Sequence, residues 1–280
     1  MFKQTVPDWL IGVWQRRSIE EDGVRDTTTQ VIWIQTSHCF GDIRIPADRL
    51  AVGSDNRSNL DDAERLAKLC DRAAISLSQQ EGFAGVTQFD TGRCEWHRAL
   101  DYYPPTDQLD GGTLHWKNGV EGDILVETGL DNTYVEEWQQ IANGPTAAMT
   151  VSRGTAWEKW LVVCGDYFIY VCDRRPTLPQ NKLLTELLET DITGKISPQS
   201  KQHLNCEISL GRCISGQTPW EIQQSTLPWK EGRCLWHPGD FAVDQKHNKA
   251  VQTVGAETVT WDIQEWGALE KLLMPALASV

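Results

Sequence analysis

The chain has 280 residues, a formal net charge of −13 and 40% hydrophobic residues. That length suits two domains of about 140 residues each, with enough apolar content for a core in both. The acidic excess argues against nucleic acid and anionic membrane as partners, because both carry the same sign. No apolar run approaches the ~18 residues that a bilayer crossing requires.

In chain order, residues 10–21 (LIGVWQRRSIEE), 27–36 (TTTQVIWIQT) and 40–46 (FGDIRIP) read as three strands. Asp22-Gly23 supplies a hairpin turn, and the β-branched run from Thr27 to Ile34 suits a strand better than a helix. In FGDIRIP, Ile43 and Ile45 share one face while Asp42 and Arg44 share the other. Residues 59–80 break the β pattern. Asn59 can cap, acids fill the first turn, and Leu66, Leu69, Cys70 and Ala73 form one face, which predicts a helix over 60–77.

A strand over 83–90 then leads into a meander of four strands, 93–100, 112–117, 123–128 and 134–141. Pro104-Pro105, Asp110-Gly111-Gly112, Asn118-Gly119 and the run Gly129 to Asn132 supply the turns between them. Short strands at this spacing predict a barrel or sandwich.

Residues 142–155, which contain Asn143-Gly144-Pro145, are the expected linker, placing one domain in residues 1–145 and a second in 146–280. After it, 159–164 and 166–173 are apolar strands. Residues 178–189 predict an amphipathic helix with Leu183, Leu184, Leu187 and Leu188 inward. Strands are expected at 204–210, 220–225, 233–236, 250–254 and 258–264, with a last helix at 268–273.

Eight scattered cysteines without a C-x-x-C, and an opening MFKQTVPDWLIGVW without a basic region followed by an apolar stretch, predict free thiols and a cytoplasmic protein. The hexapeptide GRCEWH at 92–97 is echoed by GRCLWH at 232–237. The echo hints at duplication and offers two Cys-x2-His pairs. On a strand, however, residues three apart point to opposite faces, so no metal site is expected from them. Glu127, Glu136 and Glu137 sit on neighbouring strands, as acid–base carboxylates do, but no nucleophile or phosphate-loop motif accompanies them. Binding is therefore expected ahead of catalysis. No catalytic residue, metal or cofactor is assigned, and an enzyme acting on a small molecule in the same cavity is the alternative.

Gly12-Val13-Trp14, with Arg16 and Arg17 just beyond, resembles the G-x-W that opens barrels of the lipocalin or calycin superfamily. The likeness extends through WIQTSHCFGDIRIP, GFAGVTQFDTGRCEW, ETGLDNTYVEEW, WLVVCGDYFIYVCDR and LGRCISGQTPWEIQQSTLPWKEG. Together these resemble a family of tandem calycin-like barrels typified by a fungal casein-kinase-interacting protein, with uncharacterised bacterial relatives. GVWQRRS alone is also similar to bilin-chromophore lyases, single barrels whose length does not fit. The tandem resemblance implies an all-β fold of two lipocalin-like antiparallel barrels, each with a short helix, and implies no catalytic residues.

Inside the N-terminal barrel the expected lining is Trp14, Arg16, Trp33, Asp42, Arg44, Trp96, Arg98, Trp116, Glu127, Glu136 and Trp138. Tryptophans offer stacking surface, and Arg44 and Arg98 can hold a ligand carboxylate. The same groups can instead satisfy one another as a buried polar network. A small hydrophobic or anionic ligand is the expected partner, or a protein docked on the outer barrel face. The nearly continuous apolar runs WLVVC and YFIYVC predict a second barrel filled by its own side chains.

Overall fold

The computed structural model describes residues 6–52, 59–119, 122–154, 156–174, 177–190, 192–215 and 218–267. The first sheet contains β1 (Gly12–Glu21), β2 (Val24–Asp26), β3 (Gln30–Gln35) and β4 (Cys39–Ile45). After helices α1 (Asp62–Ala67) and α2 (Asp71–Leu77) come β5 (Glu81–Asp90), β6 (Arg93–Asp101), β7 (Gly111–Gly119), β8 (Gly122–Gly129) and β9 (Tyr134–Ala142). All pairings are antiparallel, and β1 also pairs with β9, from Val13 against Ala142 to Glu21 against Tyr134. With β2 a short appendage of β1, this closes a barrel of eight strands. Closure removes the unpaired edges that an open sheet would present.

The second sheet contains β10 (Thr146–Arg153), β11 (Ala156–Cys164), β12 (Tyr167–Cys172), β13 (Glu207–Ser215), β14 (Thr218–Ser225), β15 (Phe241–Asp244), β16 (Lys249–Val254) and β17 (Glu257–Glu265), with α3 (Pro198–Lys201) before β13. Its order is β14-β13-β12-β11-β10-β17-β16-β15, with no β14–β15 pairing. It is a curled half-barrel rather than a closed one. Its concave face is filled by Phe168, Tyr170, Trp220, Trp236, Phe241 and Trp261, as the apolar runs predict.

The two sheets pack face to face. Outward residues of the barrel wall, including Ile32, Ile34, Ile43 and Ala84, share one buried layer with Trp160, Val162, Ile169, Val171 and Ile208 of the second sheet. The apolar runs in β11 and β12 are continuous because both faces are covered. Ile169 and Val171 face the barrel, while Phe168 and Tyr170 face the concave core. Glycines permit the close approach. A Cβ on Gly41 would lie 2.9 Å from the Ile169 side chain, and one on Gly82 would lie 2.8 Å from Ile208.

Several expected boundaries shift. The single helix over 60–77 is two short helices; Asp61 rather than Asn59 caps the first, and the second starts after Cys70 with no side-chain cap. Leu66, Leu69 and Ala73 still face the core, but Lys201 donates to the Leu69 carbonyl at 2.6 Å and replaces the helical bond there. The linker is only residues 143–145, because 146–153 is strand β10. The helix over 178–189 is one tight turn, Leu184–Leu187; Asn181 at φ 55 interrupts it, and Leu183 is exposed. Strand 204–210 begins at Glu207, since Gln202–Leu204 is helical. Residues 233–236 are loop, tied to β14 by a single Glu221–Cys234 bridge, so the echo of 92–97 is not a structural repeat. The helix at 268–273 lies outside the described residues.

All eight cysteines are free, and only Cys70 is exposed. Burial pushes the Cys164 thiol up to about 11 and also holds Cys94 above its ordinary value. A thiol reagent added without reductant is expected to count eight in denaturant. On the folded chain it should react first with Cys70 alone, and fewer than eight in denaturant means that disulfides form.

Candidate functional site: a tryptophan-walled, charge-paired cup

Alternation along the barrel strands sends every second side chain inward. The inward residues form layers. At the closed end Trp14 is fully buried, donates its indole N–H to the Leu10 carbonyl at 2.9 Å, and stacks on Trp33 at 5.9 Å. The Gly-x-Trp spacing has a steric reason, since a Cβ on Gly12 would lie 2.3 Å from the Gln140 side chain. Trp116 belongs to this end as well. It packs on Trp9 and Trp14 and is 44% exposed, so it walls the base rather than the cup.

Above the plug, Trp96 and Trp138 meet Trp33 edge-on, each at 5.6 Å, with interplanar angles of 82° and 71°. Over them opens a cavity of about 610 Å³. Nine of the eleven expected residues line it: Arg16, Trp33, Asp42, Arg44, Trp96, Arg98, Glu127, Glu136 and Trp138. Trp14 lies beneath the floor and Trp116 lies at the opposite end. The β1 bulge between Arg16 and Ser18 leaves Arg16 inside and Arg17 outside.

The charges are paired across the lumen. Arg16 binds Glu136 at 2.7 Å and Asp26 at 3.4 Å. Arg44 binds Asp42 at 2.9 Å and Glu136 at 3.4 Å. Arg98 lies 3.6 Å over the Phe83 ring and holds Asp101 and Asp110 at 2.9 and 2.8 Å. Arg44 and Arg98, the residues expected to hold a ligand carboxylate, are therefore already occupied by the protein's own carboxylates. Glu127 stands directly across from Glu136 on the neighbouring strand, and it accepts from Tyr134 Oη at 2.8 Å and Trp138 Nε1 at 3.1 Å. Trp33 is 2% exposed and its Nε1 has no hydrogen-bond partner among the described residues.

Tyr134, Phe40, Phe83 and Asp26 also line the cup and were not anticipated. Tyr134 sits two residues before Glu136 on one strand, so the period-two pattern could have found it. Phe83 was hidden because it lies on a strand whose other face packs on the second sheet. Where β6 leaves β7 beyond Glu95, the wall opens sideways. A second hollow of about 870 Å³ outside shares Trp96, Arg98, Asp110 and Tyr134 with the cup.

Burial pushes the Asp42 carboxyl up to about 6, with Glu136 adding to the shift and Arg44 opposing it. Burial, then Glu136, holds Glu127 well above the usual carboxylate range, against the hydrogen bond from Tyr134. For Asp42 the folded chain binds more protons than the unfolded one between about pH 4 and about pH 6, so its contribution to stability falls as pH rises through that window. Acidifying from about pH 7 to about pH 5 should raise the unfolding free energy by about 1 kcal/mol through Asp42 alone. Urea titrations at the two pH values check this, and Asp42→Asn should flatten the slope; an unchanged slope in that variant contradicts the assignment.

No cluster of three or more metal-ligating side chains occurs among the described residues. Nor is any described helix long and apolar enough to cross a membrane. Fold and cavity together define a mainly antiparallel β protein, a closed barrel joined to a curled half-barrel. Among solved structures the chain is similar to an uncharacterized protein, YLR301w, from Saccharomyces cerevisiae, at 12% identity and a TM-score of 0.49, over 90% of this chain and 97% of that one. No protein-family model and no curated protein matches the chain.

Proposed function

We propose that this is a non-catalytic small-molecule-binding protein of the tandem calycin-like type, working in the cytoplasm, with residues 1–145 as the binding barrel and 146–280 as a filled companion. The observation that carries the reading is the cavity of about 610 Å³ walled by Trp33, Trp96 and Trp138, with a buried indole N–H left unpartnered on its floor. Cavities of ~300–1,000 Å³ that combine aromatic walls with a few oriented polar groups are the usual form of a ligand site. The eight free thiols support the compartment. Because the arginines are paired internally, an apolar or aromatic body is favoured over a carboxylate as the main recognition element.

The test is a panel of fatty acids, tetrapyrroles, aromatic acids and organic amines, read by tryptophan fluorescence and melting temperature. A ligand that quenches the wild type should lose at least tenfold in affinity in Trp96→Ala. If the whole panel leaves both signals unchanged, binding in the cup is wrong and a scaffold role for the outer surface takes its place.

A second reading, an enzyme acting in the same cup, is favoured by Glu127, whose carboxyl is held above its ordinary range by burial and by Glu136 beside the cavity. Both of its oxygens are engaged by Tyr134 and Trp138, which fits a fixed polar anchor better than a proton donor. Turnover of any panel member, abolished in Glu127→Gln, would put the enzyme first.

A further inference from the structure

We propose that the cup selects an organic cation, an alkylammonium or cationic aromatic group carrying a hydrogen-bond acceptor; this rests on the binding reading above and names its ligand class. The first support is the disposition of charge. Every arginine on the lining already has carboxylate partners: Arg16 with Glu136 and Asp26, Arg44 with Asp42 and Glu136, Arg98 with Asp101 and Asp110. Two further lining acids, Glu21 and Glu81, form no ion pair with any described basic side chain, so the surplus in the cup is negative. An entering anion would meet no uncommitted guanidinium, whereas a cation would meet uncommitted carboxyl groups.

The second support is the aromatic geometry. Trp96 and Trp138 stand edge-on to Trp33 at 82° and 71°, so the three lining indoles lie in different planes. Such an arrangement favours a cation through the negative π-faces. The bond from Trp138 Nε1 to the Glu127 carboxyl, at 3.1 Å, draws the indole proton toward oxygen and enriches the ring. This lumen already seats positive charge on aromatic faces, with the Arg98 and Arg44 guanidinia 3.6 and 5.2 Å from the Phe83 centroid. The unpartnered Trp33 N–H accounts for the acceptor on the ligand.

The experiment compares three probes of one shape on the full chain: benzyltrimethylammonium, its uncharged carbon analogue neopentylbenzene, and the anion phenylmethanesulfonate. Tryptophan quenching and calorimetry are read at low and at physiological salt. Benzyltrimethylammonium should bind at least tenfold tighter than neopentylbenzene and weaken with added salt. Glu81→Gln, at the half-buried rim where folding is least at risk, should reduce the cation's affinity several-fold and leave the neutral probe unchanged; Glu21→Gln should do the same. Equal binding of the neutral probe, or tighter binding of the anion, overturns the cation assignment while leaving a binding cup in place. If none of the three binds but a neutral or anionic panel molecule does, the cation assignment falls alone; if nothing binds at all, both fall.

Discussion

Glu136→Gln lowers the unfolding free energy by about 3–5 kcal/mol in urea denaturation near neutral pH, the range for breaking a buried ion pair from one side. The substitution keeps the side-chain shape and opens no cavity, so the loss is electrostatic. Glu136 is 2% exposed and neutralises two guanidinia, Arg16 at 2.7 Å and Arg44 at 3.4 Å. After the change, Arg44 keeps Asp42, but Arg16, itself only 6% exposed, keeps only the more distant Asp26. Arg16→Gln combined with Glu136→Gln should recover much of the loss, because it removes the buried charge that the single variant strands. A single variant within about 0.5 kcal/mol of wild type would mean that water already screens this network.

Ile169→Ala is the other large effect, about 2–5 kcal/mol for a fully buried isoleucine truncated in a packed layer. It acts between the sheets, outside the cup, so ligand affinity should be unchanged while stability falls. Gly41→Ala alone should destabilise by about 1–3 kcal/mol, because its new methyl would press on Ile169 at 2.9 Å. The informative result is the pair. With Ile169 already truncated, the Gly41 methyl enters the space vacated, and the double variant should be more stable than the sum of the two losses predicts. Strict additivity would show that the sheets separate at this point instead of sharing one core.

These two sites mark how far the sequence could be read. The strands of the meander were legible because Asn118-Gly119 and Asp110-Gly111-Gly112 carry their own turn chemistry. The lining was legible because residues two apart share a face: Trp14 with Arg16, Asp42 with Arg44, Trp96 with Arg98, Glu136 with Trp138. The partners of those charges were not legible. Arg16 and Glu136 are 120 positions apart, and only barrel closure through β1 and β9 joins them. The broken helix had the same kind of cause, because the lysine that takes the Leu69 carbonyl lies 132 positions away. Leucine spacing at 183–188 looked helical, yet Leu184 and Leu188 are buried while Leu183 is exposed. Trp116 faces inward as expected but at the closed end, and alternation says which face a residue takes, not its height in the barrel.

The strands β3 and β4 carry the lumen on one face and the second sheet on the other, with five of the six β3 residues buried. An antiparallel strand normally keeps a wet face on which substitutions are nearly free. Here that freedom is gone. Descendants of this sequence that acquire a new binding preference should therefore do so through β9 and the segment at 105–109, where one side of the wall still meets water. In a saturation library selected only for folding, Val31 to Gln35 should return the narrowest spectrum of accepted residues, and the rim of the cup the broadest.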